Sequence, residues 1–532
     1  MTADNTLPNP EAIFQQAMSL LQSGRLPRAV ACFDAVLAVR PNAPLVHFYR
    51  GLALYGLRRF EDSLAGYDRA IALKPDYTEA YSNRGNALQE LKRLPEAIAS
   101  YDRAIELKPD FAGAYNNRGF AFLGMDKMNE ALSSCERAIE LEPGYVQAYI
   151  NRGSILSKLD RLDEAIASYD HALELKPDQP DVYFGRGLVL SELKRLDEAV
   201  ASFDRAIELN PDYAEAYWGK SHVALLQGNY EEGWKLEEWR LKGDLYKFSG
   251  KRYQKPRWSG QFGTGESELP KTLVVYAEAG QGDTIQYCRY IPMLKDLGIK
   301  AVLEVPPSLC SLMSTLDPDL SVIERLAPLP DFDQFCAIGS LPFAFGTTLA
   351  TVPAKIPYLY ADQEKRKAWQ EKLGDKTKPR IGLTWSGQVS RRIDSSSAKN
   401  RSIPLRLLES ILNLPFEFHS LQKDVRPDDV AALSQFSMIH DHRADLNDFS
   451  DTAALASNLD LVISIDTSVA HLAGALGQQL WVMLPYVTDY RWTMDGSATP
   501  WYPEALLFRQ PAAGDWASVV SQVENRLKEK YL

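Results

Sequence analysis

The first 213 residues repeat with a period of 34 residues, and this periodicity limits the possible folds more than any other feature of the chain. Tyrosine recurs at this spacing at Tyr81, Tyr115, Tyr149, Tyr183 and Tyr217. Glycine, alanine and proline follow the same period, for example at Gly51, Gly85, Gly119, Gly153 and Gly187, at Ala97, Ala131, Ala165 and Ala199, and at Pro41, Pro75, Pro109, Pro143, Pro177 and Pro211. Small residues let two antiparallel helices approach closely, the tyrosine fills the gap, and proline ends the second helix. The pattern therefore predicts an all-α array of stacked helix pairs.

The repeated unit resembles the tetratricopeptide repeat. Six full units extend from about residue 10 to residue 213, and a degenerate seventh keeps Tyr217 but lacks the glycine and the proline, so we assign residues 10–240 to the array. Loss of the motif is typical of a terminal repeat. Aromatic residues at helical spacing are usually core, so we expect those of the seventh unit to pack against the following domain rather than to form a binding cage. These residues are Trp218, Tyr230, Trp234 and Trp239.

Three asparagines, Asn83, Asn117 and Asn151, each follow a repeated tyrosine by two residues. Stacked repeats would align their amides along one groove, where an amide can satisfy both the N–H and the C=O groups of an extended peptide. The pattern resembles the asparagine ladder in the repeat superhelix of O-GlcNAc transferases, although it covers only three units. The alternative, which the sequence supports equally, is that the three residues are merely polar positions on the solvated face of the first helix. The first interpretation predicts a protein or peptide acceptor along the repeat groove.

Composition argues against two classes of main partner. The formal net charge of −11 argues against nucleic acid or an anionic membrane surface as the main partner. No apolar run is long enough to span a membrane, and the start, MTADNTLPNPEAIF, does not have the form of a signal peptide. We therefore expect a cytoplasmic protein.

No metal site is predicted. The five cysteines are scattered and never in CxxC spacing, so neither a disulfide framework nor a zinc site is indicated. Asp331-Phe332-Asp333 has the DxD form that some glycosyltransferases use to hold a metal, but short acidic pairs also occur by chance. His440-Asp441-His442 places two histidines on one side of a strand without an evident third ligand.

The second half of the chain alternates strand and helix. The repeat period is lost over residues 241–270, a linker rich in Gly, Ser, Pro and aromatic residues in which we expect Tyr253 and Trp258 to be packed. Segments such as KTLVVYAEAG and DTIQYCRYIPMLKDLG then read as strand and helix in turn, which is typical of βαβ units with a parallel sheet. A charged helix, ADQEKRKAWQEKLG, separates two α/β halves, residues 271–360 and 361–532, and a cleft between them is the natural ligand site.

The stretch DLVISIDTSVAHLAGAL predicts a buried strand that ends at Asp466, an N-cap residue, and leads directly into a helix. The first N–H groups of that helix, near Thr467 and Ser468, have no internal partner and lie at its positive dipole end, so they can hold a diphosphate. In an open α/β sheet this edge is also where ligands bind. His471 follows on the same helical face, and we expect it to be at most a supporting contact.

Three further loops are expected at the same edges of the two sheets. Gly282 permits a tight turn that would direct the Asp283 carboxylate at the cleft, although aspartate is also a common N-cap residue. A basic loop after PRIGLTW could clamp a diphosphate from the opposite side. Its cations are Arg391, Arg392, Lys399 and Arg401. Gln422 in HSLQK is a candidate to line a nucleotide base or ribose, and the alternative there is a simple strand-to-helix loop.

Together, GQGDTIQYCRY, GLTWSG with KNRSIP after it, and DLVISIDTSVAHLAGALG resemble the glycosyltransferase B fold, and are most similar to the heptosyltransferase-like glycosyltransferase family 9. The resemblance covers about residues 271–530. It implies two Rossmann-like halves, an acceptor side with Asp283 as catalytic base and a nucleotide-sugar side. The donor motif would comprise Asp466, Thr467, Ser468 and His471. The family's phosphate-binding lysine has no clear single counterpart, and the four cations of the basic loop are all candidates.

The resemblance implies an inverting, metal-independent transfer of a sugar to a hydroxyl, with a nucleotide sugar as co-substrate and no other cofactor. On this hypothesis the repeats hold a protein acceptor, for which flagellin or another surface protein is a guess from the fusion alone. Two alternatives stay open. One is a non-catalytic scaffold with a degenerate nucleotide-binding domain, and the other is a lipopolysaccharide heptosyltransferase-like enzyme that carries repeats.

Overall fold

The computed structural model describes residues 9–243, 252–260, 269–387 and 401–532. The chain divides into two compact units, Met1–Leu190 and Ser191–Leu532. The boundary lies about fifty residues before the end of the array assigned from the sequence. The last repeats therefore belong to the same compact unit as the α/β part.

The first unit is built of consecutive helix pairs, as the period predicts. Its helices are α1 Pro10–Gln22, α2 Leu26–Val39, α3 Pro44–Gly56, α4 Phe60–Leu73, α5 Thr78–Glu90, α6 Leu94–Leu107, α7 Ala112–Gly124, α8 Met128–Leu141, α9 Val146–Lys158, α10 Leu162–Leu175 and α11 Pro180–Glu192, the last of which crosses the boundary. Most of the turns that end the first helix of a pair contain a residue with positive φ, which lets the chain reverse direction. These residues recur with the same period, at Arg58, Lys92, Asp126 and Asp160.

The repeated glycines Gly51, Gly85 and Gly153 lie against a tyrosine of the following helix, and Gly119 lies against Cys135, but none of these side chains is the repeated tyrosine. Tyr81 and its equivalents are only half-buried. The space opposite Gly85 is filled by the ring of buried Tyr101, and a Cβ built on Gly85 would lie 2.4 Å from Tyr101 Cε1. The predicted close approach is thus present, but the prediction that the repeated tyrosine fills the gap is wrong, since Tyr101 and not Tyr81 faces Gly85.

Replacing Gly85 by alanine is expected to destabilise the first unit by about 1–3 kcal/mol, because a core without free space must shift to admit the methyl group. Urea unfolding followed by far-ultraviolet circular dichroism measures the effect. Gly144→Ala is the matched control, since a Cβ built on Gly144 meets nothing within 4 Å. Equal midpoints for the two variants would contradict this account of the packing.

A ladder of ion pairs joins consecutive repeats of the first unit. In each pair an arginine of one repeat's first helix bonds to an aspartate sixteen residues earlier, in the second helix of the preceding repeat. The pairs are Arg50–Asp34, Arg84–Asp68, Arg118–Asp102 and Arg186–Asp170, at 2.6–2.7 Å. Partly exposed pairs contribute little energy each, so the ladder serves mainly to fix the register between repeats.

The second unit begins with helices and continues as two parallel sheets. The helices are α12 Leu196–Leu209, α13 Ala214–Leu226 and α14 Tyr230–Glu237, followed by a 3₁₀ turn, Glu238–Lys242. The first sheet contains β1 Thr272–Tyr276, β2 Lys300–Val305, β3 Ser321–Glu324 and β4 Gln334–Ala337. The second contains β5 Arg380–Leu383, β6 Glu417–Ser420, β7 Ile439–Asp441, β8 Leu461–Ile465, β9 Leu480–Leu484 and β10 Leu506–Arg509.

Both sheets are wound in the order typical of doubly wound α/β proteins. The strand orders are β3-β2-β1-β4 and β10-β9-β8-β5-β6-β7, and all neighbours are parallel. Counted from its own first strand, the second sheet has the order 3-2-1-4-5-6. The α/β prediction for the second half of the chain is therefore confirmed.

Short helices connect the strands and cover the sheets. They are α15 Gln281–Tyr287, α16 Ile291–Asp296, α17 Pro307–Met313, α18 Leu341–Ala344, α19 Gln363–Leu373, α20 Glu409–Leu412, α21 Pro427–Gln435, α22 Phe449–Ala456, α23 Ser468–Ala475 and α24 Trp516–Tyr531. One buried apolar cluster includes Trp234 of α14, Leu273 of β1 and Leu472 of α23. The last repeat and both sheets thus share a core.

The described part of the linker is packed, as predicted. Tyr253 and Trp258 are buried. The Tyr253 ring stacks on Tyr276 and Phe335 with ring centroids 4.8 Å apart in each case, and the Trp258 N–H donates to Phe335 O at 2.8 Å. Residues 252–260 therefore form part of the first sheet's surface. Among the described residues, no helix combines the length and the apolar character needed to cross a membrane.

Candidate functional site

The candidate site lies where strands of the two sheets end. In the second sheet the strand order reverses between β5 and β8, and ligands of open α/β sheets bind at such a point. Gly387 follows β5 and Thr467 follows β8, and a Cβ built on Gly387 would lie 4.0 Å from Thr467 Cγ2. The described start of the loop after β5 therefore lies close to the loop after β8, as predicted.

Asp466 is buried, with 8% of its surface exposed, and both of its oxygens are occupied. Oδ1 accepts from Trp492 Nε1–H at 2.8 Å, and Oδ2 accepts from the Arg401 guanidinium at 3.2 Å. Burial acts to raise the pKa of Asp466, but Arg401, His471 and the Trp492 N–H outweigh it, so the pKa is lowered. The prediction that Asp466 caps the helix is wrong, because Thr467 occupies the N-cap position.

The N-terminus of α23 lies against the first turn of α15. A Cβ built on Gly282 would lie 3.3 Å from Ser468 Cα and 3.0 Å from a ring carbon of His471. Gly282 is therefore needed for close approach, and it lies within α15 rather than in the predicted tight turn. An anion bound at the first N–H groups of α23 would therefore also lie next to the first turn of α15.

His471 is a packed residue, as expected. Its ring is 4% exposed and stacks on Trp492 with centroids 5.3 Å apart, and its Nδ1 is 3.0 Å from the hydroxyl of Tyr502. Burial lowers the pKa of His471 to about 3, although Asp466 acts in the opposite direction. The imidazole is therefore neutral near neutral pH and serves to support Asp466 and Trp492.

Asp283 is the third residue of α15, and its side chain is 29% exposed. Its Oδ2 accepts from the Gly280 N–H at 3.0 Å, as in a capping box. Its Oδ1 accepts from the Arg491 guanidinium at 2.5 Å. Both interpretations of this residue are thus met in part, since the carboxylate caps the helix and also faces the second half of the α/β region.

Arg491 is the main group near Asp283 that the sequence analysis missed. It also donates to Asp489 Oδ2 at 2.9 Å, to the Tyr287 hydroxyl at 3.0 Å and to Gln286 Oε1. Burial acts to lower the pKa of Arg491, but Asp489, the two neighbouring tyrosines and Asp283 raise it well above its ordinary value. The guanidinium is therefore a permanent charge at this site.

Arg491 and its neighbour Trp492 connect the two predicted carboxylates. Arg491 bonds to Asp283 of the first half, and Trp492 bonds to Asp466 of the second half. Both lie in the loop that follows β9, a third strand ending at the same edge of the second sheet. The run TDYRWT after a buried strand is the signal that could have identified this loop from the sequence.

The remaining donor-side predictions have mixed outcomes. Arg401 is 40% exposed and bonds to Asp466, whereas Arg391, Arg392 and Lys399 lie outside the described residues. Gln422 is buried, and its amide oxygen accepts from the Trp385 and Ser386 N–H groups at 3.3 and 3.2 Å. Its amide nitrogen donates to backbone oxygens of Ser386 and Asp424. Gln422 therefore holds the end of β5, in keeping with the structural alternative.

Two of the three predicted ladder asparagines bond to other asparagines. Asn117 Nδ2 donates to Asn86 Oδ1 at 3.0 Å, and Asn151 Nδ2 donates to Asn116 Oδ1 at 2.8 Å. Asn116 also donates to Asn117 Oδ1, so the amides form a chain through α5, α7 and α9. Asn116 and Asn151 are buried, which rules out a fully solvated face for Asn151.

Asn83 does not belong to this chain. Its amide donates to the Glu79 carbonyl of its own helix at 2.9 Å. The ladder thus consists of amides that join three repeats to one another, and a peptide would have to displace these bonds to use the buried members. In the part of the chain that the structure describes, no group of three or more His, Cys, Asp or Glu residues is placed to hold a metal ion.

Comparison with known proteins identifies the repeats. Family models described as TPR repeat match residues 85–126 and 153–194. Models described as tetratricopeptide repeat match residues 14–78, 112–145, 134–167 and 180–213. The N-terminal region therefore carries tetratricopeptide repeats.

One curated relative is Protein FlbA of Caulobacter vibrioides, which is 28% identical over 342 residues. The match covers 58% of this chain and 54% of the relative, so the chain spans about half the length of that protein.

Similar solved structures include YrrB, described as a TPR protein with an unusual peptide-binding site. It is 22% identical in sequence, and the match covers 35% of this chain and 95% of that chain with a TM-score of 0.30. PilF of Pseudomonas aeruginosa is 20% identical, and the match covers 39% of this chain and 94% of that chain with a TM-score of 0.35. A tetratricopeptide repeat protein from Parabacteroides merdae is 17% identical, and the match covers 46% of this chain and 94% of that chain with a TM-score of 0.38.

Proposed function

We propose that this repeat protein transfers a sugar from a nucleotide sugar to a hydroxyl group of a protein held by its repeats, in an inverting, metal-independent reaction of the glycosyltransferase B type. One observation carries the proposal. Asp283, after β1 of the first sheet, and Asp466, after β8 of the second, are bound by the consecutive residues Arg491 and Trp492. An acidic residue from each half thus converges on one loop at the strand ends, the position at which open α/β sheets bind their ligands.

On the donor side, the diphosphate would lie near the N-terminus of α23. The first N–H groups of a helix attract anions, and Thr467 and Ser468 begin this one. Arg401 lies beside Asp466 and is exposed enough for a phosphate to reach it. Arg391 and Arg392 are further candidates from the same loop. These charges would meet the negative charge that develops on the departing nucleotide diphosphate.

On the acceptor side, Asp283 would take the proton of the attacking hydroxyl. To do so, the carboxylate must turn one oxygen from Arg491 to the acceptor. Arg491 can keep its position during this exchange because Asp489, Tyr287 and Gln286 also bind it. Its positive charge would then stay close to the reacting groups.

One observation favours the alternative of a scaffold that binds a ligand without turnover. Both oxygens of Asp283 and both oxygens of Asp466 already accept hydrogen bonds from the protein. A carboxylate so engaged is well suited to a structural role. Measurements of nucleotide binding and of sugar release separate the two functions.

The test begins with a thermal-shift screen of the full chain against nucleoside diphosphates and CMP. A ligand that binds only the folded state raises Tm. All ten tryptophans lie between Trp218 and Trp516, so their fluorescence reports on the second unit alone. We expect one nucleotide to raise Tm and the corresponding nucleotide sugar to be consumed in a nucleotide-release assay. Binding without sugar release would support the scaffold, and an absence of binding to every nucleotide would contradict the proposal.

Deleting residues 1–190 should separate acceptor binding from the chemistry. The cut removes the first compact unit and keeps α12 and α13. We expect hydrolysis of the nucleotide sugar to persist, and transfer to a protein acceptor to fall by about tenfold or more, because the array would no longer raise the effective concentration of the acceptor. Undiminished transfer would show that the first unit does not hold the acceptor and would favour an acceptor of the lipopolysaccharide type.

A further inference from the structure

The last repeat ends in a buried arginine that bonds to the α/β region. Arg240 lies in the 3₁₀ turn after α14, and only 4% of its side chain is exposed. Its guanidinium donates to Glu278 Oε1 at 2.7 Å and to Ser340 Oγ at 3.0 Å. It also donates to Glu238 Oε1 at 3.0 Å. A buried charge with this many partners holds a defined geometry, and the fork of a guanidinium suits such bridging better than an ammonium group does.

Glu278 lies in the loop between β1 and α15, five residues before Asp283. Its side chain is fully buried. Besides the bond to Arg240, its oxygens accept from the N–H groups of Ile338 and Gly339 at 3.0 and 3.1 Å. A Cβ built on Gly339 would lie 2.7 Å from Glu278 Oε1 and 3.0 Å from a nitrogen of Arg240, so the pair has little free space around it. The start of the loop is thereby fixed between the end of β4 and the last repeat.

The same repeat also contacts the loop that follows β9. The Tyr230 hydroxyl accepts from Trp501 Nε1–H at 3.0 Å. The Trp234 ring meets Tyr490 edge-on with centroids 5.5 Å apart. Tyr490 directly precedes Arg491. The last repeat thus touches both loops whose side chains meet in the bond between Asp283 and Arg491.

We infer that Arg240 is a positioning residue, which through Glu278 fixes the loop of residues 277–280 and the first turn of α15, so that Asp283 stays aligned with Arg491. What Asp283 does once aligned rests on the proposed function. The seventh repeat departs from the repeated motif, and the 3₁₀ turn Glu238–Lys242 that follows its second helix carries the arginine that bonds to Glu278.

The test is a double variant in which Arg240→Met and Glu278→Gln are combined, so that both members of the pair are replaced in the same chain. Removal of one partner alone would leave the other charge buried and unpaired, which destabilises a protein strongly, whereas the double change leaves no unpaired charge. In the full chain we expect kcat for sugar transfer to fall by about tenfold to a hundredfold, because a displacement of roughly 1 Å at a reacting group has this effect. KM for the nucleotide sugar should change by less than about threefold, since the donor-binding residues lie in the second sheet.

A second arm repeats the double change in an Asp283→Asn background. If Arg240 acts through Asp283, kcat should fall no further there, because residues that act as a unit are not additive. An equal fall in both backgrounds would overturn the inference, as would an unchanged kcat in the native background. Arg257→Met is the matched control. Arg257 pairs with Glu238 at 2.9 Å and does not contact Glu278, so its loss should leave kcat unchanged.

Hydrogen exchange tests the positioning role independently of any activity. In the native chain the Gly280 N–H bonds to Asp283 Oδ2, and the Thr284 N–H bonds to Gly280 O. In the double variant we expect these amides to exchange about tenfold faster or more, while amides of β8 in the other sheet keep their rates. Unchanged exchange at Gly280 and Thr284 would overturn the inference. Faster exchange in a protein that turns over no nucleotide sugar would retain the positioning role and reject the proposed function.

Discussion

Replacing Asp283 by asparagine is expected to lower the rate of sugar transfer by about 10²–10⁴-fold, the usual contribution of a positioned general base. Asparagine has almost the same shape and keeps an oxygen that can accept from Gly280 or Arg491, so the fold of the loop should persist. It cannot accept the proton of the acceptor hydroxyl. Initial rates of nucleotide release at saturating donor measure the effect, and KM for the donor together with Tm shows whether binding and folding are intact.

Asp489→Asn is the control for charge. Asp489 bonds to the same guanidinium at 2.9 Å, and its side chain is exposed to a similar degree as that of Asp283. The variant changes the charge around Arg491 by the same amount but leaves the proposed base in place, so we expect the rate to fall by less than about tenfold. A fall as large as that for Asp283→Asn would assign the effect to the charge balance at Arg491. A native rate for Asp283→Asn would reject the base assignment.

The repeats could be predicted because their constraint is local. A period of 34 residues places a small residue where the two helices of successive units approach closely, and this requirement shows in the sequence without knowledge of the rest of the fold. The identity of the residue packed against it was less accessible. Tyr81 and Tyr101 are both aromatic residues on helices of one repeat, and only packing shows that Tyr101 faces Gly85.

The strand ends of the site could also be predicted, since parallel strands bring their carboxyl ends to one edge. The contacts made there could not. Arg491 and Asp283 are separated by 208 residues, and no local pattern relates them. The capping of α23 was misassigned for a similar reason. Asp466 and Thr467 are both good N-cap residues, and the choice depends on Trp492 and Arg401, which attract the carboxylate away from the helix.

The asparagine ladder illustrates the same limit. The spacing identified amides that align between repeats, and Asn117 and Asn151 do belong to an aligned chain. The bonds are completed by Asn86 and Asn116, which do not share the predicted spacing from the repeated tyrosine. A periodic polar position therefore indicates alignment, whereas its partner depends on side chains from the neighbouring repeat.

The second unit is expected to lose stability in mild acid, because two of its histidines are held neutral. His419 is buried, its Nδ1 lies 3.1 Å from His442 Nε2, and its ring stacks on His440. Burial, with His440 and His442 as further causes, lowers the pKa of His419 to about 3, although Glu417 acts in the opposite direction. Burial likewise lowers the pKa of His471 to about 3.

In the unfolded chain a histidine takes up its proton near pH 6.5, whereas in the folded unit these two take it up only at much lower pH. The unfolded state therefore binds more protons between these limits. The contribution of each histidine to the free energy of unfolding is greatest above about pH 6.5. It falls as the pH decreases, by up to about 1.4 kcal/mol per pH unit. Between about pH 7 and pH 5 each should contribute a loss of about 2 kcal/mol.

Urea unfolding followed by tryptophan fluorescence at these two pH values measures the loss in the second unit. His419→Asn keeps a polar group near the position of Nδ1 but binds no proton, so the variant should lose about 2 kcal/mol less than the native chain between the two pH values. Ile439→Val is the control, because Ile439 adjoins His440 in β7 but faces the opposite side of the sheet, and its truncation should lower stability by about 0.5–1.5 kcal/mol at both pH values alike. If the native chain were equally stable at both pH values, or if His419→Asn lost as much as the native chain, His419 would not be held neutral by its surroundings.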